Sequence, residues 1–207
     1  MGETKPLTAK VYDCVYAAII NGEINANDLL SEARLAEQLN VSKAPVREAL
    51  IRLCEENILQ VMPRMGYRPI QITPAQIAKL VETRILLEGY MLQKSFPILT
   101  DVQITQLKYL LRRQRERVQT PQPVMERCQD NIDFHTMLAG FCGNDYLLDA
   151  LKRTMKHCAG AAAQCFHSGY RKQENGLECH DILLQKLEER NLEEALEMLR
   201  QDIQELL

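Results

Sequence analysis

The stretch that most constrains the fold is LSEARLAEQLNVSKAPVREALIRL, residues 30–53. Its apolar residues recur at the three- and four-residue spacing of amphipathic helices, once before and once after a short connection at residues 40–42. Ser31 and Ser42 each precede one of these segments and are suited to cap its N-terminus. Pro45 falls in the first turn of the second segment, where a missing N–H costs little. The stretch therefore predicts two short helices that meet at a tight turn.

Two cations lie at the front of the second predicted helix. Lys43 and Arg47 are four residues apart, so they share one helix face. A short helix behind a tight turn, with cations near its N-terminus, suits insertion into the major groove of DNA. The alternative is a solvated helix face, which is the usual role of an arbitrary charged pair. The pattern thus gives the hypothesis of a helix-turn-helix that contacts DNA.

The charge balance limits how such a contact is made. The chain has a formal charge of −3, and residues 1–72 contain eight Lys and Arg against nine Asp and Glu. Binding by bulk attraction is therefore excluded, and any DNA binding must depend on the placement of a few cations. The seven cysteines form no CxxC pair. Together with the lack of a long apolar run, they predict reduced thiols in a cytoplasmic protein without a membrane segment.

After residue 53 the sequence predicts a hairpin and then a long helical region. Strand candidates at 58–62 and 67–72 flank the turn PRMG, in which Gly66 can adopt a positive φ. From residue 74 onward the apolar periodicity predicts six helices with short connections, which is typical of an antiparallel bundle. These helices are predicted at 74–95, 101–118, 123–142, 145–168, 171–190 and 192–206.

The predicted fold class is therefore mainly α with two domains. Residues 1–73 are predicted to form an N-terminal winged helix-turn-helix that begins with a helix at 7–20. The predicted apolar stripe of this helix is Val11, Cys14, Val15, Ala18 and Ile19. Residues 74–207 are predicted to form a C-terminal antiparallel six-helix bundle.

The motifs of both parts resemble a known family. The run LSEARLAEQLNVSKAPVREALIRLCEENIL, followed by PRMGY, resembles the GntR family of bacterial transcription regulators. Residues 84–88 and the segments NIDFHTMLAGFCGNDYLL and ECHDILLQKLEERNLEEALEML resemble the FCD effector domain of its FadR subfamily. Six helices instead of seven are closer to the VanR-like group. The resemblance covers essentially the whole chain and implies a homodimer that binds double-stranded operator DNA and a small-molecule effector.

The resemblance also implies a set of DNA contacts at the start of the recognition helix and at the wing glycine. Ala33 stands where family members commonly have an arginine, and Arg34 follows about 100° further around the helix. Lys43 replaces a commoner arginine and loses the bidentate recognition of guanine. At the wing tip, a merely exposed Arg64 is an equally open alternative. The predicted DNA-binding residues are Arg34, Ser42, Lys43, Ala44, Arg47, Arg64 and Gly66.

A metal centre is the second site that the resemblance implies. Many FCD domains have an Asp, a His four residues later, and two further His on later helices. The matching positions here are Asn131, His135, His180 and Asp202, so Asn replaces Asp and Asp replaces the last His. Two imidazoles, a carboxylate and an amide oxygen suit a divalent metal such as Zn, Ni or Mn. The alternative for both histidines is a hydrogen-bonded role without metal.

Other polar residues of the bundle receive separate interpretations. Arg84 is the candidate for holding an anionic effector, and an ion pair with Glu88 is the alternative. His157 and His167 are predicted to lie at the surface or to line a pocket, because their spacing directs them differently on one helix. The cysteines Cys158, Cys165 and Cys179 have no zinc spacing and are predicted to pack in the core.

The predicted function is a sequence-specific transcription regulator. We expect a repressor controlled by a small metabolite, such as an organic or sugar acid, that binds the helical domain directly or through the metal. One alternative is a helical metal-dependent enzyme with an accessory DNA-binding module, although no nucleophile with a positioned base is visible. Another alternative is a regulator whose bundle holds no metal.

Overall fold

The chain folds into two compact units, Met1–Ile72 and Thr73–Leu207. The computed structural model describes residues 5–117, 122–169 and 177–205. Within those ranges the mainly α fold class is confirmed, with one two-stranded hairpin. The elements are α1 (Leu7–Ile20), α2 (Glu32–Gln38), α3 (Lys43–Glu55), β1 (Leu59–Met62), β2 (Gly66–Pro69), α4 (Pro74–Ser95), α5 (Asp101–Arg117), α6 (Val124–Gly140), α7 (Asp145–His167), α8 (Leu177–Glu188) and α9 (Leu192–Glu205).

Three of the predicted helices extend past the described residues. Of the helix predicted at 171–190, residues 171–176 lie outside the described residues. The part that is described is α8, Leu177–Glu188. Residues 118 and 206, the predicted ends of two other helices, also lie outside it. Across the described residues, we find no helix with the length and apolar character that crossing a bilayer requires.

Helix α3 is the centre of the first unit, because α1, α2 and β1 all pack against it. The turn before it depends on Asn40, which adopts a left-handed φ of 51°, and on the Val41 N–H, which donates to the Ala36 carbonyl at 3.0 Å. Short polar residues such as Asn accept this conformation at little cost. The helix buries its apolar stripe completely: Val46, Ala49, Leu50 and Leu53.

The predicted caps of the two short helices differ in the structure. The Ser31 side chain accepts a hydrogen bond from the Arg34 N–H at 3.2 Å, as a capping residue does. Ser42 occupies the N-cap position of α3, but its side chain makes no capping hydrogen bond. The Ser42 hydroxyl is therefore exposed at the front of α3 without a capping role.

The buried face of α1 is rotated from the apolar stripe that the sequence indicates. The stripe includes Cys14, which is exposed, whereas Tyr12 and Tyr16 are buried instead. The two rings lie 6.1 Å apart, the Tyr12 hydroxyl donates to Glu56, and the Arg52 guanidinium lies over the Tyr12 ring. Tyrosine can bury its ring while its hydroxyl keeps a polar partner, so an apolar periodicity that leaves it out points to the wrong face.

The wing is attached to the start of α2 through its second strand. Strands β1 and β2 pair antiparallel, and Leu30 forms a further bridge to Tyr67. The Leu30 N–H donates to the Tyr67 carbonyl at 2.8 Å, and the Tyr67 N–H donates back at 3.0 Å. Gly66 has a φ of +119°, and a Cβ there would lie 2.2 Å from the Leu30 carbonyl oxygen. Glycine is therefore required here by contacts within the unit itself.

A Gly66→Ala variant is expected to detach the wing from Leu30. The new methyl cannot share the space of the Leu30 carbonyl oxygen, and the positive φ adds strain, together about 1–3 kcal/mol or more. We expect the amides of Leu30 and Tyr67 to lose their protection in a hydrogen–deuterium exchange experiment on the full chain.

Gly143→Ala is the matched control for this variant. Gly143 has a φ of +68°, and a methyl group added there would meet no described atom within 4 Å. Its substitution should carry only the cost of the left-handed φ, about 1–2 kcal/mol, and leave the wing protected. Unchanged protection of the Leu30 and Tyr67 amides in Gly66→Ala would show that the wing can shift without leaving the unit.

The second unit is a bundle whose first helix, α4, contacts α6, α7 and α9. Thr73 and Gln76 form a capping box at its start, and Pro74 occupies the first turn. Helix α5 packs on α6 and α8, and α8 packs on α9. Most of the core is aliphatic, but several polar side chains are also buried, and those that form the site are Arg84, Glu88, His135, His180 and Asp202.

Candidate functional site

The front of α3 presents the predicted DNA-contacting side chains to solvent. Ser42, Lys43, Ala44 and Arg47 are all exposed, while Val46 and Ala49 of the same helix are buried. The first half of the helix therefore has an apolar inner face and an open outer face with two cations, Lys43 and Arg47. Arg34, at the start of α2, is exposed as well. The structure thus brings these residues of the first unit to its surface, as an interface requires.

Arg47 differs from a free surface cation because it contacts a carboxylate of α2. Its Nε donates to both oxygens of Glu32, at 3.1 and 2.9 Å, and its Nη2 donates to one of them at 2.8 Å. The Arg47 side chain is still 62% exposed, whereas that of Glu32 is 22% exposed. The hydrogen bonds from Arg47 hold the pKa of Glu32 below its usual range.

The wing tip carries the remaining predicted contacts. Arg64 is exposed and adopts a φ of 64°, in a turn where the Met65 N–H donates to the Met62 carbonyl. Gly66 is half-buried against Leu30. Of these two residues, only Arg64 is exposed to solvent. Gly66 is required by its close contact with Leu30, whether or not the wing contacts DNA.

In the second unit, α6, α8 and α9 bring the predicted metal ligands together. One ligand atom from each of His135, His180 and Asp202 can be chosen so that all lie within 4.8 Å of one another. The Nε2 atoms of the two histidines are 3.4 Å apart. Asp202 lies 2.9 Å from Nε2 of His135 and 3.5 Å from Nε2 of His180. Asn131 completes the group, since its amide lies 3.4 Å from Nε2 of His180.

The other face of each imidazole is held in a different way. Nδ1 of His135 lies 2.6 Å from Oε2 of Glu88, so a hydrogen bond to the carboxylate orients this ring. The His180 ring stacks on Phe134 with centroids 4.0 Å apart. Its Nδ1 is buried and has no hydrogen-bond partner among the described residues. Both rings therefore direct Nε2 toward the same point.

Arg84 joins this group through Glu88. Its Nε donates to Oε1 of Glu88 at 2.7 Å, in an ion pair whose side chains are 1% and 3% exposed. Its Nη2 is buried, with no hydrogen-bond partner in the part of the chain that the structure describes. Both interpretations of Arg84 thus have support, because one nitrogen pairs with Glu88 and another remains available to an anion.

Burial and neighbouring charges set the protonation of the group. Burial lowers the pKa of His180 to about 3, which keeps this imidazole neutral at pH 7. Burial would also lower the pKa of His135, but the carboxylates of Glu88 and Asp202 outweigh it and raise that pKa. Burial would raise the pKa of Glu88, yet Arg84 and His135 lower it to about 2. Burial would also raise the pKa of Asp202, but His135 lowers it. The carboxylates of Glu88 and Asp202 are therefore both ionised at neutral pH.

The donor set fits a divalent metal ion. Two imidazole nitrogens and one carboxylate converge, and the Asp202 Oδ2 atom is buried without a hydrogen bond even though His135 is near. A carboxylate behind the second nitrogen of a ligating histidine is the usual outer support of a metal site. Rotating the Asn131 amide by 180° would bring its oxygen to the position of its nitrogen, since the two are nearly indistinguishable in shape.

Two functional residues have contacts that the sequence analysis does not identify. Glu32 is assigned no partner there, and Glu88 only a pairing with Arg84. The contacts that matter join Glu32 to Arg47 and Glu88 to His135, 15 and 47 residues apart in sequence. No helical or strand periodicity reports such separations. The nearest signal is the four-residue spacing of Arg84 and Glu88, which places both on one face of α4.

Three further features lie outside the two candidate sites. His167 is exposed and His157 is half-buried, in agreement with their predicted surface or pocket-lining positions. No disulfide joins the seven cysteines, all of which lie in the described ranges. Of the three that are predicted to pack in the core, Cys158 is buried, and burial raises its pKa to about 11. Cys165 and Cys179 are only half-buried, so the prediction is wrong for these two. A groove between α4 and α9 is lined by residues that include Leu86, Tyr90 and Leu196, but by none of the candidate ligands.

A Glu88→Gln variant is expected to weaken metal binding about 10- to 100-fold, the usual effect of losing an outer-shell carboxylate. The amide keeps the size of the side chain. It lacks the negative charge with which the Glu88 carboxylate accepts a hydrogen bond from His135 Nδ1 and so fixes the tautomer of that ring. Titration of metal-free protein with Zn²⁺ by calorimetry measures the change. Glu82→Gln, at an exposed position of α4, is the control and should bind as the parent does. If the two variants bound Zn²⁺ with equal affinity, Glu88 would have no role in metal binding.

Comparison with known proteins agrees with this architecture. The family pattern described as "Bacterial regulatory proteins, gntR family" matches residues 7–68, and the pattern described as "FCD domain" matches residues 79–205. The HTH-type transcriptional repressor RspR of Escherichia coli is 29% identical over 122 residues, which are 59% of this chain and 54% of that protein. The chain therefore spans about half the length of this relative.

Other relatives align over most of the chain. The gluconate operon transcriptional repressor of Bacillus licheniformis is 24% identical over 192 residues, covering 91% of this chain and 78% of that protein. Among solved structures, a transcriptional regulator from Rhodococcus sp. RHA1 has a TM-score of 0.76 at 23% identity, covering 96% and 94% of the two chains. McbR/YncC of E. coli has a TM-score of 0.74 at 20% identity, covering 98% and 95%. These structures share the fold.

A winged helix-turn-helix followed by a helical effector-binding bundle defines a class of DNA-binding transcription regulators. The relatives carry the names of transcription repressors and regulators, and none of these names is that of an enzyme. The chain belongs to the GntR family and has an FCD domain. The alternative of a helical metal-dependent enzyme is therefore not supported.

Proposed function

We propose that this protein is a homodimeric, cytoplasmic repressor that binds a short, roughly palindromic operator and is controlled by an organic or sugar acid. Residues 1–73 would be the DNA-binding domain, and residues 74–207 the effector-binding and dimerisation domain. The operator half-sites would be spaced to match the two-fold axis of the dimer. The name of the Bacillus licheniformis relative refers to the gluconate operon, which supports a sugar acid as the class of effector.

The observation that carries the DNA part is the outer face of α3. Ser42, Lys43, Ala44 and Arg47 are exposed on the element that enters the major groove in helix-turn-helix proteins. Lys43 is suited to a phosphate, because an ammonium group is a compact point charge, and Arg47 is suited to a base edge. Arg34 and Arg64 would add backbone contacts on either side, with the wing lying along the minor groove at Gly66.

The effector part depends on the buried group of the bundle. We assign His135 and His180, through Nε2, and the Asp202 carboxylate as ligands of a divalent metal such as Zn, Ni or Mn, with the Asn131 amide oxygen as a fourth. Such an ion supplies Lewis acidity and open coordination positions for a carboxylate or hydroxyl group. The Nη2 of Arg84, which has no hydrogen-bond partner among the described residues, would donate to a carboxylate of the same effector.

Control of DNA binding follows from linkage between the two domains. An acid that binds one arrangement of the dimer better than another shifts the population toward it, by no more than the difference in its two affinities. If the spacing of the two recognition helices in the favoured arrangement does not match the operator half-sites, binding of the acid weakens binding of the DNA. By reciprocity, operator DNA must weaken acid binding by the same factor.

Fluorescence anisotropy with labelled DNA from upstream of the gene tests this proposal. We expect tight binding by the Zn²⁺-loaded full chain and at least a fivefold weakening by a sugar acid such as gluconate, within the usual range of allosteric coupling, about 5- to 150-fold. Parallel titrations with metal-free protein separate the routes of acid binding. A response that persists without metal would show that the acid binds without the ion. No response to any organic or sugar acid, with or without metal, would contradict the effector assignment.

A further inference from the structure

The arginine that is suited to reading DNA shares a hydrogen-bonded cluster with two other elements. Glu32 of α2 accepts three hydrogen bonds from Arg47 of α3 and a fourth from the hydroxyl of Tyr67 in β2, at 3.1 Å. We call Glu32, Arg47 and Tyr67 the Glu32 cluster. Tyr67 is itself attached to Leu30 by a pair of backbone hydrogen bonds. The cluster therefore joins the first turn of α2, the recognition helix and the wing.

The geometry of the guanidinium divides its donors between protein and solvent. The Nε–H and one Nη2–H are directed at Glu32. Of the five N–H groups of an arginine, the three that remain belong to Nη1 and to the outer side of Nη2. One N–H of Nη1 and the outer N–H of Nη2 form the end of the fork, an edge that can contact the two acceptors of guanine in the major groove. Glu32 thus takes one edge of Arg47 and leaves the other edge open.

Fixing the first edge also fixes the direction of the second. A free arginine side chain loses rotamer entropy when it is ordered on DNA. A bidentate contact to Glu32, whose own carboxylate is oriented by Tyr67, orders the guanidinium before DNA arrives. The carboxylate also repels phosphates, so the arrangement disfavours binding to a shifted register in which a phosphate approaches Arg47.

We propose that Glu32, held in place by Tyr67, is a specificity-determining positioning residue that presents the open edge of Arg47 to a base. The inference rests on the proposed DNA binding through α3. It differs from two other roles of the same contact. In an inhibitory role Glu32 would compete with DNA for Arg47, and as a simple surface ion pair it would contribute little to anything but local stability.

A specificity ratio distinguishes these roles. We define it as the dissociation constant for scrambled DNA divided by that for the upstream DNA fragment, both measured by anisotropy with the full chain at the same salt concentration. Glu32→Gln should lower this ratio about tenfold, the size of one good base contact. The loss should come from weaker binding to the upstream fragment, whereas scrambled DNA should bind as well or better, because a negative charge is gone. Tyr67→Phe should lower the ratio in the same direction but less.

Two controls make the result specific to Arg47. Glu37→Gln removes the same charge from an exposed position of α2 and should leave the ratio close to that of the parent. In an Arg47→Ala background, Glu32→Gln should have no further effect on the ratio, because a residue that acts through Arg47 loses its role with it. Thermal unfolding followed by circular dichroism establishes whether each variant is folded. If Glu32→Gln does not fold, Tyr67→Phe still tests the inference.

The outcomes that overturn the inference differ from those that overturn the proposed function. Tighter binding of Glu32→Gln to the upstream fragment would assign Glu32 an inhibitory role, and an unchanged ratio would make it a surface ion pair. A ratio that still falls in the Arg47→Ala background would show that Glu32 does not act through Arg47. In contrast, a ratio near one for the parent protein would mean that the proposed sequence-specific binding is itself wrong.

Discussion

Arg47→Ala is expected to weaken binding to the upstream DNA fragment roughly 100-fold. A base-reading arginine contributes about 1–3 kcal/mol, a factor of roughly 5 to 150. The upper part of this range is expected because the substitution also leaves the Glu32 carboxylate without its partner beside the DNA. Binding to scrambled DNA should weaken much less, so the loss should be mainly one of specificity. Anisotropy titrations at about 0.15 M salt measure both values.

Two variants place this result in context. Lys43→Ala should weaken binding to both fragments about equally and make the salt dependence less steep by about one unit, as expected for a phosphate contact. Lys79→Ala, which removes one positive charge from an exposed position of α4, should have no measurable effect. If Arg47→Ala bound the upstream fragment as tightly as the parent at this salt concentration, α3 would not be the reading element.

Replacing His135 is expected to abolish metal binding. In the proposed centre His135 would supply Nε2, and Glu88 orients the ring through a hydrogen bond at Nδ1. Loss of a ligand should exceed the 10- to 100-fold effect of an outer-shell change. We expect protein purified without an affinity tag to carry about one divalent ion per chain by elemental analysis, and His135→Ala to carry almost none. Asp202→Asn, which keeps the volume of the side chain, should be similarly depleted.

Thermal unfolding gives a second measure that does not depend on DNA. A ligand that binds only the folded state stabilises it by about 2.7 kcal/mol at 100 times its dissociation constant. Addition of a chelator should therefore lower the melting temperature of the parent and of His167→Ala, in which an exposed histidine of α7 is replaced. It should leave that of His135→Ala and Asp202→Asn unchanged. A parent that carries no metal and does not respond to metal or chelator would contradict the assignment.

Much of the fold could be predicted because local signals agree with one another. The apolar spacing in residues 30–53, a short polar connection and Pro45 in a first turn predict α2 and α3. The structure buries most of the apolar face of α2 and all of that of α3. The start of α4 at Pro74 agrees with the predicted start of that helix. The predicted face of α1 is only partly right. Val11 and Val15 are buried as predicted, but Cys14 is exposed, and Tyr12 and Tyr16 bury their rings while Tyr12 keeps a polar partner, Glu56.

The candidate site could be predicted only in part. The position of His135 relative to Asn131 follows from helix geometry, and His180 and Asp202 were identified by family resemblance alone. What the sequence could not show is how separate elements meet. Glu88 of α4 contacts His135 of α6, and Glu32 of α2 contacts Arg47 of α3. These contacts depend on tertiary packing, which no local pattern of residues encodes.

The same reason explains the interpretation of Gly66. The sequence associates this glycine with a close approach of the wing to DNA. The structure shows that a side chain at this position would meet the Leu30 carbonyl oxygen of the same unit. Contact between the wing and DNA remains a prediction, and Gly66 would be required for the hairpin even without it.

The most direct test of the central proposal is the specificity ratio of the parent protein. Dissociation constants for the upstream DNA fragment and for a scrambled fragment of equal length and composition are measured at about 0.15 M salt. Because the first unit is slightly acidic overall, binding through a few placed residues predicts a ratio of about 10³ or more, as sequence-specific regulators show. A ratio near one would contradict the proposal that this chain reads an operator.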